Sequence, residues 1–373
     1  MTKTTANEQI GVGIIGCGKI SQAYFNGAGT FEILKIIACA DLNEAAAQAK
    51  AEENGCEALS VEALLAHPDI DLVINLTIPA AHAEVSIAAL KAGKHVYCEK
   101  PLTVELNEAD EILALAKEKQ LLVGCAPDTF LGAGHQTCRK LVDEDAIGRV
   151  VAGTAFMLSP GHESWHPNPA FYYQRGGGPV FDMGPYYLTA LVNLIGPVKR
   201  VCAITSRALD ERTVGSGERK GEVIPVEVPT HASATLEFHN GALVTAVFSF
   251  DVPAHEHSPI ELYGTKGALQ APDPNGFGGP VRLHSLNKKE NWQEQELSHI
   301  YEEDHRSIGA ADMAYAIAGG RPHRTSGNLA YHILEVMHAF DEASQSGKHV
   351  TIQSKPKRPA PLPLGLDPGK LDA

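Results

Sequence analysis

Over residues 1–126, short apolar runs alternate with stretches of helical periodicity. IGVGII (10–15) is apolar throughout, the pattern of a strand covered on both faces. ILKIIACAD (33–41), DLVINLT (71–77), KHVYCE (94–99) and LLVGCA (121–126) read the same way. Between them, LNEAAAQAKAEEN (42–54), AAHAEVSIAALKAG (80–93) and VELNEADEILALAKEK (104–119) predict helices, with Gly55 and Gly93 placed as stops. This alternation predicts a doubly wound parallel sheet of Rossmann type.

After residue 126 the strands lengthen and their alternation has period two. GRVVAGTAFML (148–158) and VKRVCAITSR (198–207) are such runs. THASATLEF (230–238) and ALVTAVFSFDV (242–252) flank Asn240-Gly241, a pair that favours a type I′ hairpin turn. Ala232, Ala234, Leu236, Phe238, Val244, Ala246, Phe248 and Phe250 fall on one face; Ser233, Thr235, Glu237, Thr245, Ser249 and Asp251 fall on the other. PIELYGTKGALQA (259–271) adds a hairpin turned at Gly264–Gly267. Helical patterns follow at 304–320 and 327–344, then a Pro-rich, extended tail from Lys355. The expectation is an antiparallel sheet with one core face, its other face open to solvent or to another subunit.

The length of 373 residues exceeds what one core serves and implies two domains. With 31 Lys and Arg against 45 Asp and Glu, the formal charge of −14 argues against nucleic acid or an anionic membrane as partner. No run approaches the ~18–20 apolar residues of a membrane span, and MTKTTANEQ has no apolar stretch of the signal-peptide kind. Cys17, Cys39, Cys56, Cys98, Cys125, Cys138 and Cys202 are scattered and never in CxxC spacing. They read as small thiols in a reducing compartment, so a cytoplasmic location is expected.

GVGIIG (11–16) fits G-x-G-x-x-G as letters, but Gly13–Ile15 lie inside the strand. The working turn is GCGKIS (16–21), which follows the strand and opens a helix. Gly16 permits the tight turn, and Gly18 lets the backbone approach a pyrophosphate at the helix N-terminus. Lys19 and Ile20 complete the turn, and Ser21 holds the third glycine position. Asp41 ends the second strand, where a carboxylate binds ribose hydroxyls and repels a 2′-phosphate. No Lys or Arg lies between it and Lys50, so NAD is favoured over NADP.

CEKPL (98–102) puts Glu99 and Lys100 at the carboxyl end of the fifth strand, where doubly wound folds place ligands. TIPAAH (77–82) ends the strand before it, setting Thr77 and Pro79 on the cofactor side; His82 either orients a helix or faces the cofactor. In FDMGPYY (181–187), Asp182 and Tyr186 share a helix face. A tyrosine at its ordinary pKa of ~10 is a poor acid–base group at neutral pH. A neighbouring ammonium lowers that pKa, so Lys100 with Tyr186 would form a proton relay for alcohol oxidation, with Asp182 fixing the lysine or the substrate hydroxyl. The residues alone leave a surface lysine open and favour a core tyrosine and a helix-capping aspartate.

HESWH (162–166) matches the HExxH zinc-protease pattern. Pro160-Gly161 precedes it, and Pro167 and Pro169 follow, leaving no room for the helix that pattern needs. No metal is expected. The stretch reads either as a structural loop or as a sugar-binding one, with His162, Trp165, His166 and Arg175 as substrate contacts.

GIIGCGKIS, the Asp41 strand end, TIPAAH, EKPL, the segment 125–150, GGGPVFDMGPYYL and ELYGTKGAL occur in an order that resembles the glucose–fructose oxidoreductase, inositol dehydrogenase and MocA-type family, over residues 10 to about 350. The resemblance implies a Rossmann domain (1–126) and an α/β domain with an open antiparallel sheet (127–373) for substrate and subunit contacts. It implies NAD(P)-dependent hydride transfer to or from a sugar, glycoside or cyclitol, with Lys100, Asp182 and Tyr186 catalytic, in a homodimer or homotetramer. Many members carry His where this chain has Tyr186, and Thr189 replaces a frequent Asp. A redox-assisted glycosidase or lyase, and a catalytically silent sugar sensor, are the alternatives within the same resemblance.

Overall fold

The computed structural model describes residues 9–287 and 291–372; the N-terminal segment read above for a leader lies, except for Gln9, outside them. The first half runs β1 (Ile10–Ile15), α1 (Ser21–Ala28), β2 (Leu34–Ala40), α2 (Glu44–Asn54), β3 (Glu57–Ala58), α3 (Val61–Ala66), β4 (Leu72–Asn75), α4 (His82–Lys91), β5 (His95–Cys98), α5 (Leu106–Lys119) and β6 (Val123–Cys125). The strands form one parallel sheet in the order β3-β2-β1-β4-β5-β6. β1 and β4 are buried along their whole length, as continuous apolar runs require. The order reverses at β1 and β4, so the carboxyl ends of these strands open on one crevice. α2 starts where the Asn43 side chain accepts from the Ala45 and Ala46 amides, and stops at Gly55 in the left-handed region. The short pieces β3 and α3 carry too few residues for a period and escape the sequence pattern.

The second half adds α6 (Ala133–Asp143), β7 (Val150–Leu158), α7 (Gly178–Ile195), β8 (Val198–Ser206), β9 (Glu211–Thr213), β10 (Val223–Pro225), β11 (His231–Phe238) and β12 (Leu243–Ser249). It continues through β13 (Ile260–Gly264), β14 (Gly267–Ala271), β15 (Val281–Ser285), β16 (Gln293–Gln295), α8 (Ile308–Gly319), α9 (Gly327–Ser346) and β17 (Val350–Thr351). Nine strands make one sheet in the order β16-β15-β14-β13-β7-β12-β11-β8-β17, antiparallel except between β7 and β12. α7 and α9 pack on one face. Ile204, Leu243 and Tyr263 stand exposed on the alternate positions of β8, β12 and β13. The apolar set expected to face inward from β11 and β12 is buried throughout.

Two details differ from expectation. The Asn240-Gly241 turn is not type I′, because Gly241 has φ 88° while Asn240 is not among the positive-φ residues. The Asn240 side chain accepts from the Ala242 amide at 3.0 Å, and Phe238 N donates to Ala242 O at 2.9 Å, so one left-handed residue suffices to close the hairpin. Ser249, expected on the polar face, is buried: its hydroxyl pairs with His231 Nδ1 at 2.9 Å and accepts from Asp251 N at 3.0 Å.

The two halves are joined by more than the chain crossing at residue 126. α8 packs on β5, β6 and α1, and its start is fixed by Asp128, which accepts from Ser307 N and Gly309 N. The tail is extended as expected and held to the body. Arg139 donates to Pro359 O, Arg324 to Ala360 O and Pro361 O, and Leu362 and Leu371 are buried. Among the described residues no helix is long and apolar enough to cross a membrane.

Candidate active site

The nucleotide turn follows β1 as its spacing predicts. Gly16 has φ 105°, and a Cβ there would meet the Leu76 carbonyl at 2.6 Å, so only glycine fits. A Cβ on Gly18 would meet nothing within 4 Å: that backbone faces open space and is free for a phosphate to approach. Ser21 donates to Gly18 O at 2.8 Å and closes the first turn of α1. Asp41 also braces the turn, accepting from Cys17 N at 2.7 Å and Asn43 N at 2.8 Å. Leu42 (98% exposed) and Ile78 (68% exposed) stand bare at the carboxyl ends of β2 and β4. The sequence reading missed both; for Leu42 an apolar residue directly after the strand-end Asp41 was the available signal.

His82 is fully enclosed, with Nδ1 2.6 Å from Pro101 O and Nε2 3.0 Å from Thr77 O. Burial holds its pKa down. Each ring nitrogen faces a carbonyl and the single N–H donates to one of them, so His82 sits between the Thr77–Pro79 turn and the Lys100–Pro101 turn. Glu99 is similarly engaged, accepting from Tyr24 OH and from Lys100 N, each at 2.8 Å.

Lys100 crosses from the end of β5 to the first turns of α7. Its Nζ donates to Asp182 Oδ1 at 3.0 Å and to Asp182 O at 2.8 Å, and lies 5.1 Å from the centre of the Tyr186 ring. Burial works against the charged lysine, but the Asp182 carboxylate, with Tyr186 and Glu99, outweighs it and raises the pKa. Burial likewise opposes the Asp182 carboxylate, but Lys100 and His162 bring its pKa down to about 2.

Tyr186 departs from the sequence reading. Burial raises its pKa above the ordinary phenol value, and the Lys100 charge only partly offsets this. The ammonium, 5.1 Å from the ring centre, favours the phenolate, but by less than burial opposes it. Tyr186 is therefore a phenol, a hydrogen-bond donor whose hydroxyl has no protein partner among the described residues.

HESWH forms a single turn, with His166 N donating to His162 O at 2.9 Å, and no helix. Glu163 faces Arg212 at 2.7 Å and the Tyr173 hydroxyl, and Arg212 also pairs with Asp251. The glutamate of the pattern thus anchors its loop to β9 and to the segment after β12. His162 Nε2 meets Asp182 Oδ2 at 3.1 Å, and its ring packs against Trp165, Tyr172 and Phe250. Trp165 is exposed and lies edge-on to His166. Arg175 goes elsewhere: it pairs with Glu105 at 2.6 Å, 82% exposed, beside a groove that none of Lys100, Asp182 or Tyr186 lines. Thr189 is buried and lines a small cavity together with Pro101, Leu102 and Met337.

This constellation can hold a dinucleotide at the Gly turn and offer two donors, an ammonium and a phenol, to one oxygen atom. Residues 10–126 match the profile of the oxidoreductase family with an NAD-binding Rossmann fold, and residues 135–270 match the GFO/IDH/MocA C-terminal domain. The chain belongs to the GFO/IDH/MocA oxidoreductase family. It is 30% identical over 269 residues to dTDP-3,4-didehydro-2,6-dideoxy-alpha-D-glucose 3-reductase of Saccharopolyspora spinosa, covering 69% of this chain and 73% of that one. To 1,5-anhydro-D-fructose reductase of Ensifer adhaerens it is 28% identical over 264 residues, covering 69% and 74%. Among solved structures, levoglucosan dehydrogenase in complex with NADH and L-sorbose superposes with a TM-score of 0.78 at 22% identity, over 93% of this chain and 100% of that one, a likeness of fold. Family membership makes the protein an NAD-binding oxidoreductase of the dehydrogenase and reductase type.

Proposed function

We propose that the protein is an NAD-dependent dehydrogenase or reductase that acts on a ring hydroxyl or ketone of a sugar, glycoside or cyclitol. The observation that carries this is the Lys100 ammonium, kept charged by Asp182 beside the unpartnered Tyr186 hydroxyl, at the strand end where a Rossmann cofactor presents its reactive ring. The relatives named above are reductases of sugar derivatives, which supports the substrate class.

Gly16, Gly18, Lys19, Ile20, Asp41, Thr77, Pro79, Glu99 and Lys100 form the cofactor side, with Leu42 and Ile78 as apolar walls. His82 acts through the two turns it joins. The nicotinamide, when bound, accepts or donates the hydride. Lys100 and Tyr186 donate to the reacting oxygen and stabilise its negative charge in the transition state. Trp165, His166 and the His162 loop form the substrate wall; Arg175 lies outside it. The dinucleotide domain is residues 1–126 and the substrate and subunit domain 127–373. Exposed Ile204, Leu243 and Tyr263 on the open sheet face support a homodimer or homotetramer. The buried thiols support a cytoplasmic location.

Purified protein with NAD or NADP and a panel of sugars, glycosides and cyclitols tests this by the near-ultraviolet absorbance of reduced nicotinamide. Absorbance rising with one substrate class, faster with NAD, is expected. A flat trace across the panel, in both directions of reaction, contradicts it.

A further inference from the structure

A row of aromatic rings runs outward from the Lys100–Asp182 pair, farther than one sugar ring needs. Tyr172 is the inner member. Its ring centre lies 4.3 Å from that of His162, whose Nε2 meets Asp182 Oδ2 at 3.1 Å. The charges of Asp182 and Lys100 both act on the Tyr172 hydroxyl, which has no partner among the described residues. Phe171 stacks on Tyr172 with ring centres 4.0 Å apart and planes 34° apart. Tyr172 is half-buried, whereas Phe171 is 48% exposed and Trp165, on the same loop, 54% exposed. Both exposed rings stand edge-on to His166, at 5.5 and 5.4 Å.

These rings are presented by a braced loop. Glu163 pairs with Arg212 and bonds the Tyr173 hydroxyl, so the chain on both sides of the exposed rings is tied to the body. Polar groups stand among them. His166 Nδ1 accepts from Asn168 N at 3.1 Å, which puts the proton of the neutral ring on Nε2. Partial burial lowers the His166 pKa and favours that neutral ring. Its Nε2–H and the Trp165 indole N–H have no acceptor among the described residues. Aromatic faces with outward N–H donors suit a sugar, whose C–H face stacks while its hydroxyls accept. A wholly apolar ligand would leave those donors unpaired.

We propose that Phe171, Trp165 and His166 form a subsite for a second sugar ring, so that the substrate is a disaccharide or larger glycoside oxidised on one of its rings. This rests on the oxidoreductase reading above. The reacting ring lies at Lys100 and Tyr186, and Tyr172 stands at the junction of the two rings. The Tyr172 and His162 rings intervene between Phe171 and Asp182. A single sugar ring at the reacting position therefore falls short of Phe171, and a second ring reaches it.

The test compares a monosaccharide, disaccharides of several linkages that carry the same ring at the non-reducing end, and the phenyl glycoside of that ring, each oxidised with NAD. Wild type should favour one disaccharide, with kcat/KM ~10-fold or more above the monosaccharide. Phe171→Ala should cut that ratio ~10-fold, mainly through the disaccharide KM, and Trp165→Ala should cut it too. Phe171 contributes little to the core, so Phe171→Ala should keep its thermal midpoint and its NADH affinity by fluorescence. An unchanged ratio in Phe171→Ala overturns the proposal. So does a phenyl glycoside that exceeds every disaccharide and loses more in the variant, which would mark a site for an apolar aglycone. Weakened NADH binding in Phe171→Ala also overturns it, because the loop would then cover the cofactor. A wild type that oxidises the monosaccharide at least as well as every disaccharide sinks this inference alone; one that oxidises no member of the panel overturns the oxidoreductase reading itself.

Discussion

Lys100 Nζ reaches both the carboxylate and the main-chain carbonyl of Asp182, at 3.0 and 2.8 Å, across 82 residues of sequence. One ammonium thereby joins the end of β5 to α7 and ties the first half of the fold to the second. Both side chains are mostly withdrawn from water, so the pair is weakly screened.

The depressed Asp182 pKa sets a pH dependence. A carboxyl held at about 2 in the fold and near ~3.9 unfolded contributes stability that is fully present above the unfolded value and is lost as pH falls through the folded one. Denaturant titrations of wild type and Asp182→Asn should differ by a constant amount from neutral pH to ~4, with the gap closing toward pH ~2. A gap that closes between pH 5 and 7 would show that Asp182 is not the group held down.

The two turn glycines should separate folding from cofactor binding. Gly16→Ala sets a Cβ 2.6 Å from the Leu76 carbonyl at φ 105°, so it should lower the thermal midpoint. Gly18→Ala meets no protein atom, so its midpoint should be unchanged while NADH affinity falls ~10-fold or more. Equal effects of the two on both readouts would contradict the cradle.

Arg212 is buried between Glu163 and Asp251. Arg212→Met leaves two carboxylates facing each other and should cost ~3 kcal/mol in unfolding free energy. Because the same cluster anchors the His162 loop, substrate KM should rise while NADH affinity stays constant. A variant with normal stability and KM would show that the loop is held by other means.

Much of this was legible in the sequence because it is local. The Gly turn, Asp41, the EKP strand end and the Asp182–Tyr186 spacing each lie within one element or its edge. What escaped is assembled from distant segments: His162 on Asp182, and Glu163, Arg212 and Asp251 joining two loops to β9. No periodicity encodes such pairs. The lowering of the Tyr186 pKa by Lys100 was anticipated, but the net rise was not, because the sequence cannot show how completely the phenol is enclosed. Asn240 misled because its side chain satisfies the turn in place of a second left-handed residue.

Hydride transfer can be followed by its label. NADH deuterated at the nicotinamide C4 position, incubated with a keto sugar, should place deuterium on the carbinol carbon of the product by mass spectrometry in wild type, and at least ~100-fold more slowly with Lys100→Met at saturating NADH. Product without deuterium, or equal transfer by Lys100→Met, would contradict the account.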